Sequence, residues 1–432
     1  MAQNAMMGAL RGSQLTRRLL FTLGMLVVYR LGVHIPIPGV NATAIQSLFH
    51  SNASIFALLN LFSGGATATL SVFALSIIPY INASIIMQLM TVVIPQVEEW
   101  SKEGEDGQKK ITQWTRWLSL GLGFLQAVGI SFYLYRLHPV NAHGVPMVVY
   151  THHTVWMLFF TAFMLLAGST FLMWIGERLS ENGVGNGISL LVMFGIVSRL
   201  PFGLQTLAKY VTSGVLTVPK LVIFLIVALL IIAAVVYVNE GQRKVPVQYP
   251  KRVVGRRIYQ GQNTHLPIRV NQAGVIPVIF AISLLILPYT IAQFFHGNWV
   301  TFLQQYFGFT SPAYIVIEFL LVVVFTFFYT QVVFKVDDVA DNLKKGGGHI
   351  PGIRPGKPTA DYLARVSNRL TTVGAIFLGL VSILPSIISI AMSIPNLYFG
   401  GTSLLIIVGV SLDTLKQMQA QMIMRQYQGF MK

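Results

Sequence analysis

From Leu221 to Val238 the chain reads Leu-Val-Ile-Phe-Leu-Ile-Val-Ala-Leu-Leu-Ile-Ile-Ala-Ala-Val-Val-Tyr-Val, eighteen residues without a charge, a glycine or a proline. As a helix rising about 1.5 Å per residue it spans roughly 27 Å, close to the ~30 Å hydrocarbon layer of a bilayer. No water is available there, so only a helix or a closed barrel satisfies the backbone polar groups. Outward from this run, apolar stretches bounded by charge, Gly or Pro recur near 17–35, 70–94, 117–135, 154–175, 187–200, 219–238, 273–293, 313–334, 370–391 and 399–412. The whole chain of 432 residues is 54% hydrophobic and 10% charged, against about 25% charged in a typical soluble domain. A soluble enzyme or a disordered scaffold is excluded. The class is an all-α polytopic membrane protein with ten transmembrane helices. Met1 to Gln14 carries only Arg11 and lacks a small-residue cleavage pattern, so it does not read as a signal peptide and the first helix is expected to stay. There is no cysteine, which removes thiolate catalysis, disulfides and Cys-based zinc sites together.

Orientation follows from Lys and Arg. With ten spans both termini lie on one side, and twenty-five of the thirty basic residues fall there; the other side holds Arg30, Arg136, Arg199, Lys209 and Lys220. That asymmetry predicts cytoplasmic N- and C-termini. Two segments of about thirty residues, 240–270 and 335–370, carry seven basic residues each. Any single Lys or Arg there could serve topology or touch anionic headgroups. As units, loops this long and basic fit docking of a large cytosolic partner, either ribosomal RNA or an acidic protein face. Within the first, Tyr249-Pro-Lys-Arg-Val-Val-Gly-Arg-Arg257-Ile-Tyr mixes Val, Ile and Tyr in a way that predicts a hairpin.

Ten spans divide into two inverted five-helix halves, about 1–210 and 211–432, of a single membrane domain. In inverted repeats, short or Gly/Pro-interrupted segments at matching positions mark the transport pathway. Segments 2 and 7 match in this way, with Gly64, Gly65 and Pro79 in one and Gly274, Pro277 and Pro288 in the other; segments 5 and 10 match in being only about a dozen clean apolar residues. The faces so marked carry Ile77, Ile81, Asn82, Gln88, Ile188, Val192, Asn271, Ile279 and Ile406. None is ionisable, and only Glu318 sits within a span, which argues against ion-coupled transport by buried carboxylates. A constriction of branched apolar side chains would instead close by dewetting and by fitting around what passes. Any one of these residues could equally be ordinary packing; the four-segment pattern carries the reading. Between the first two spans, Ser54 to Phe62 is apolar but too short to cross and ends in Ser63-Gly64-Gly65, the pattern of a re-entrant half-helix.

Other chemistry is poorly supported. Gly352 to Thr359 looks like a phosphate loop, but its glycines are one residue too close and Pro358 stands where Ser or Thr should bind magnesium. His152-His153 points two ways on a helix, unlike ligands at i and i+4. The Gly183, Gly185, Gly187 run after Glu177-Arg178 reads as a turn required by structure, although its acidic residues could touch a partner. No cofactor is expected.

The stretches Phe62-Ser-Gly-Gly65, Ile78-Pro-Tyr-Ile-Asn-Ala-Ser-Ile85, Gly183-Val-Gly-Asn-Gly-Ile-Ser189, Thr264-His-Leu-Pro-Ile, Asn271-Gln-Ala-Gly-Val-Ile-Pro277, Ala340-Asp-Asn-Leu-Lys-Lys345, Pro351-Gly-Ile-Arg-Pro-Gly356 and Phe399-Gly-Gly-Thr-Ser-Leu-Leu405 resemble, in order, the bacterial SecY family of protein-translocation channels. The resemblance runs through nearly the whole chain. It implies an hourglass of ten helices that clamps a polypeptide path and opens sideways to lipid between segments 2 and 7, with segments 3 and 8 alongside. By that likeness 54–65 is a plug, including Asn60, Leu61, Phe62, Ser63, Gly64 and Gly65. Ile77, Ile81, Ile188, Val192, Ile279 and Ile406 align with the pore ring, with Val192 where the family commonly has isoleucine. Asn82, Gln88, Gln126 and Asn271 correspond to the lateral gate, and Lys251, Arg252, Arg256, Arg257 and Arg354 to the docking surface for cytosolic partners. The implied partners are the SecE and SecG subunits, the SecA motor ATPase, the ribosome and its RNA, signal-sequence-bearing polypeptides and membrane lipids, at the bacterial plasma membrane. A small-molecule secondary transporter and a membrane insertase without a through-pore are the competing readings; the lack of mid-membrane charge weighs against the first, the plug and apolar ring against the second.

Overall fold

A computed structural model describes residues 13–41, 44–45, 60, 62–136, 149–150, 155–214, 216–249, 252–254, 257–259, 263–292, 311–392 and 401–430. The helices are α1 (Ser13–Val33), α2 (Ile78–Val93), α3 (Pro95–Lys102), α4 (Glu105–Arg136), α5 (Val155–Asn182), α6 (Gly187–Thr212), α7 (Val218–Glu240), α8 (Ile276–Ala292), α9 (Pro312–Val333), α10 (Val336–Lys345), α11 (Lys357–Met392) and α12 (Gly401–Phe430). Each of the ten apolar runs overlaps one of them; α3 and α10 are the short additions. Among the described residues six helices are long and apolar enough by themselves to cross a membrane, seven if the bent pair α2–α3 is one span. Four short strands, β1 (Gln242–Gln248), β2 (Arg252–Val254), β3 (Arg257–Tyr259) and β4 (Asn263–Arg269), lie between α7 and α8.

Helices α1, α2, α4, α5 and α6 pack among themselves, as do α7, α8, α9, α11 and α12. The two groups meet along two seams, α8 against α2 and α4 on one side and α6 against α12 on the other. The sequence division near 210 falls in the last turn of α6. The principal core lies between the seams and draws residues from both groups.

The second span differs from its sequence reading. Residues 63–77 run as tight turns, and the helix begins only at Ile78. Gly64 (φ 66°) and Gly65 (φ 103°) take left-handed conformations that favour glycine, and Leu70 (φ 43°) and Ser76 (φ 55°) do so despite their Cβ atoms. At the other end, Pro95 restricts the preceding Ile94 to an extended conformation (φ −106°, ψ 114°), so α2 stops and α3 leaves at 99°. The fifth and tenth spans also differ: α6 has 26 residues and passes through Pro201, and α12 has 30. Their apolar stretches are short, but polar turns extend both helices beyond them.

Candidate functional site

Ile77 precedes the first turn of α2 and Ile81 lies one turn on, so both point to one side. Ile188 and Val192 have the same spacing on α6, which Asn186 starts by accepting hydrogen bonds from Ile188 N and Ser189 N at 3.1 and 3.2 Å. With Ile279 of α8 and Ile406 of α12, these side chains join one apolar cluster that also holds Phe62. Val192 and Ile406 are wholly enclosed, and Ile188 is partly buried against the rest. Gly176 of α5 lets the collar close: a Cβ there would stand 3.2 Å from Ile77 Cδ1 and 3.4 Å from Ile188 Cγ1. Four helices from two halves thus bring six branched side chains together without an ionisable group. Such a constriction excludes water and ions by having nothing to solvate them.

The Asn60 to Ser76 stretch folds back beside this collar. Ser63 Oγ is 2.8 Å from Thr67 Oγ1 and accepts from Thr67 N at 3.1 Å, and Asn60 Oδ1 accepts from Ala68 N at 3.0 Å. Ser76 Oγ donates to Phe62 O at 3.1 Å, which offsets part of the cost of its left-handed backbone. The stretch is held to three helices: Arg30 of α1 donates to Gly64 O at 3.1 Å, Ser169 of α5 donates to Ser76 O at 3.2 Å, and at Gly195 of α6 a Cβ would stand 2.9 Å from Phe62 O. Leu61 and residues 54–59 of the expected half-helix lie outside the described residues.

Asn82 and Gln88 sit on α2 and Gln126 on α4, the two helices that meet α8. Asn82 and Gln126 are buried; Gln88 Nε2 donates to Ser84 Oγ at 3.3 Å. Asn82 Nδ2 and Gln88 Oε1 are buried without a hydrogen-bond partner, polar capacity left unused on α2. Asn271, just before α8, spends its amide inside the second half, donating to Asn239 Oδ1 at 2.8 Å and to Gly274 O at 3.1 Å. Beside it Lys416 of α12 pairs with Glu240 of α7 at 2.8 Å. Glu318, the carboxylate in a span, is buried between α9 and α11, where it accepts from Ser382, away from the collar helices α2, α6 and α12. Glu177 forms a two-pronged pair with Arg116, Nε at 2.9 Å and Nη2 at 2.8 Å, tying α5 to α4, and Arg178 pairs with Glu181. On α3 the Lys102 ammonium, 2.6 Å from Glu98, holds that carboxyl below the usual carboxylate range. Among the described residues no three His, Asp or Glu side chains come together as metal ligands would.

The hairpin predicted around Val253 is present: β2 pairs antiparallel with β3, Arg252 opposite Tyr259 and Val254 opposite Arg257. Lys251 and Arg256 lie outside the described residues. Beneath it β1 and β4 pair from Gln242–Arg269 to Gln248–Asn263. Sequence reading had treated the two basic loops as separate. They are one platform, because Gln248 and His349 exchange backbone hydrogen bonds at 2.8 and 2.9 Å and Val245, Ile268, Ile350 and Leu363 share an apolar core. The Gly346-Gly347-Gly348 run was the available signal: a Cβ at Gly348 would stand 2.9 Å from Tyr249 Cε1. Arg354 projects from the turn between α10 and α11 with its side chain exposed, and its carbonyl accepts from Thr359 Oγ1 at 2.8 Å.

A family profile described as SecY matches residues 71–415. Across the full length, the chain is 44% identical over 446 residues to "Protein translocase subunit SecY" of Mycobacterium bovis, covering 99% of this chain and 100% of that one. Among solved structures, "The structure of a protein conducting channel" superposes with a TM-score of 0.65 at 17% identity, covering 94% of this chain and 92% of the other. "Sec61 in the Canine ribosome-channel complex from the endoplasmic reticulum" gives 0.61 at 17% identity over the same shares. At such identities these two likenesses speak to the fold.

Proposed function

The chain belongs to the SecY family, and on that premise we propose that it forms the path through which unfolded polypeptides cross a membrane, with transmembrane segments released sideways into lipid. It is a multi-pass membrane protein and the channel subunit of a protein translocase, not an enzyme. The observation that carries the mechanism is the apolar collar: Ile77, Ile81, Ile188, Val192, Ile279 and Ile406, from four helices, close on one another beside Phe62. A passing chain in extended form parts these side chains, and their branched shapes refit around it. The Asn60 to Gly65 stretch acts as the plug, released as its hydrogen bonds to α1 and α5 break. The seam of α8 with α2 and α4 is the lateral gate, where a signal sequence inserts and exchanges protein contacts for lipid contacts. Asn82, Gln88 and Gln126 set the gate's closing energy through polar groups that gain or lose partners there. Asn271 holds the base of the gate helix to α7.

Energy comes from outside the chain. The joined platform of the two basic loops, with Arg252 and Arg257 on its hairpin and Arg354 exposed beside it, is the docking surface for the SecA motor and for the ribosome and its RNA. SecE and SecG complete the assembly in the bacterial plasma membrane, with both termini cytoplasmic. The test places a photo-crosslinking side chain at Ile81 and at Ile406 and stalls a secretory precursor in transit. Crosslinks from both positions to the same precursor are expected; contact only from lipid-facing positions of α2 and α8 overturns the through-pore in favour of an insertase.

A further inference from the structure

Arg30 closes the last turn of α1 and Arg199 lies on α6, and the Gly64–Gly65 turn brings their guanidinium groups to adjacent peptide units. Arg30 Nη1 donates to Gly64 O at 3.1 Å, and Arg199 Nη1 lies 3.1 Å from where a Gly65 Cβ would stand. The Arg199 guanidinium also sits 5.1 Å over the Phe202 ring, and it is near enough to Arg30 for the two like charges to act on one another. Neither arginine belongs to an ion pair among the described residues.

The composition of the whole chain shows why. Its fourteen Asp and Glu residues fall within 98–106, 177–181, 337–361 and at Glu240, Glu318 and Asp413. On the topology read from the Lys and Arg distribution, on which this inference rests, all but Glu318 fall on the side of the membrane that carries the termini, and Glu318 is enclosed between α9 and α11. The opposite side holds five basic residues and no carboxylate at all. No segment of this chain can therefore supply a counter-charge to Arg30 and Arg199. Beside the turn, the buried Tyr29 hydroxyl has no hydrogen-bond partner and lies 3.0 Å from where a Gly64 Cβ would stand.

Two like charges partly removed from water repel one another and lose hydration, and each cost falls when a negative ion stands between them. We propose that Arg30 and Arg199 bind a small inorganic anion of the chloride class over the Gly64–Gly65 turn, as the counter-charge that this side of the chain lacks. Partial burial of both arginines favours a small ion over the carboxylate of a bulky partner. The bound anion fastens α1, α6 and the turn together. Binding itself is independent of the channel reading; only its consequence for plug seating rests on that reading.

The test uses the full chain in its membrane assembly, reconstituted in nanodiscs. Thermal unfolding is compared in sodium chloride and in sodium gluconate at equal ionic strength. The wild-type midpoint is expected to be higher in chloride by about 2 °C or more and to saturate with concentration. Arg199→Gln removes that increment, and Arg199→Lys keeps part of it. Equal melting in the two salts, or an undiminished increment in Arg199→Gln, overturns the proposal. Bromide soaked into crystals of the wild-type assembly gives a readout that no variant's folding can obscure. Anomalous density in contact with both guanidinium groups is expected; its absence at saturating bromide, or a lipid phosphate in its place, overturns the site. Failure of polypeptide crosslinking at Ile81 and Ile406 would leave both anion measurements unaffected.

Discussion

Gln248 and His349, a hundred residues apart in the chain, donate their backbone N–H groups to each other's carbonyl oxygens at 2.8 and 2.9 Å. This two-way bridge joins the segment after α7 to the segment after α10. Through β4 the first segment continues into α8, and through Ile350 and Leu363 the second is packed to α11. The fully buried Leu363 of α11 supports the joint from below.

Truncating that support should loosen both loops together. Leu363→Ala is expected to cost about 2–5 kcal/mol locally. Amide hydrogen exchange at Gln248 and His349 should then accelerate in parallel while the α4 and α5 amides keep their protection. Acceleration at one position alone would show that the platform is not a unit.

Arg354 makes its one described hydrogen bond through its carbonyl, to Thr359, and leaves its guanidinium exposed. Charge reversal by Arg354→Glu should therefore change folding stability by no more than about 0.5 kcal/mol. Motor-driven export in reconstituted vesicles should be abolished, and export at the wild-type rate would remove Arg354 from the docking surface.

Ile406 is wholly enclosed in the collar. Ile406→Ser leaves a void and an unpaired hydroxyl there, together worth a few kcal/mol against the closed arrangement. Ion leakage of the resting channel in planar bilayers should rise by about tenfold or more. The same substitution at the exposed Leu229 of α7 should leave leakage unchanged.

Gly168 of α5 faces the turn that precedes α2: a Cβ there would stand 1.9 Å from Val72 O, a backbone atom that cannot swing aside. Gly168→Ala should push α5 off the turn and break the Ser169 to Ser76 hydrogen bond. A fall in thermal midpoint of several degrees is expected. Gly121→Ala on α4, where a Cβ meets open space, is the control that should melt as wild type does.

How much of this was legible beforehand differs from element to element. The uncharged run at 221–238 announced its helix, and the spacing of Ile77 with Ile81 and of Ile188 with Val192 announced two faces of the collar. The hairpin around Val253 was readable from its β-branched residues. The turns of 70–77 were not, because Leu70 and Ser76 adopt left-handed backbone that no residue type signals, and hydrophobicity alone started the second span near residue 70 instead of at Ile78. Asn271 stood as a gate residue through the family resemblance, and only the structure shows its amide donating to Asn239 and Gly274 within the second half.

The sequence by itself determined which segments are long and apolar enough to enter the membrane and which side chains are apolar enough to form a seal, because a bilayer imposes length and hydropathy on every span separately. Only the tertiary structure decided that four helices from two halves bring their branched residues to one collar, that Gln248 meets His349, and that Arg30 and Arg199 converge on Gly64 and Gly65. Those are relations between residues far apart in the chain. They depend on close packing at particular glycines and on which polar groups find partners, and a one-dimensional pattern does not contain that information.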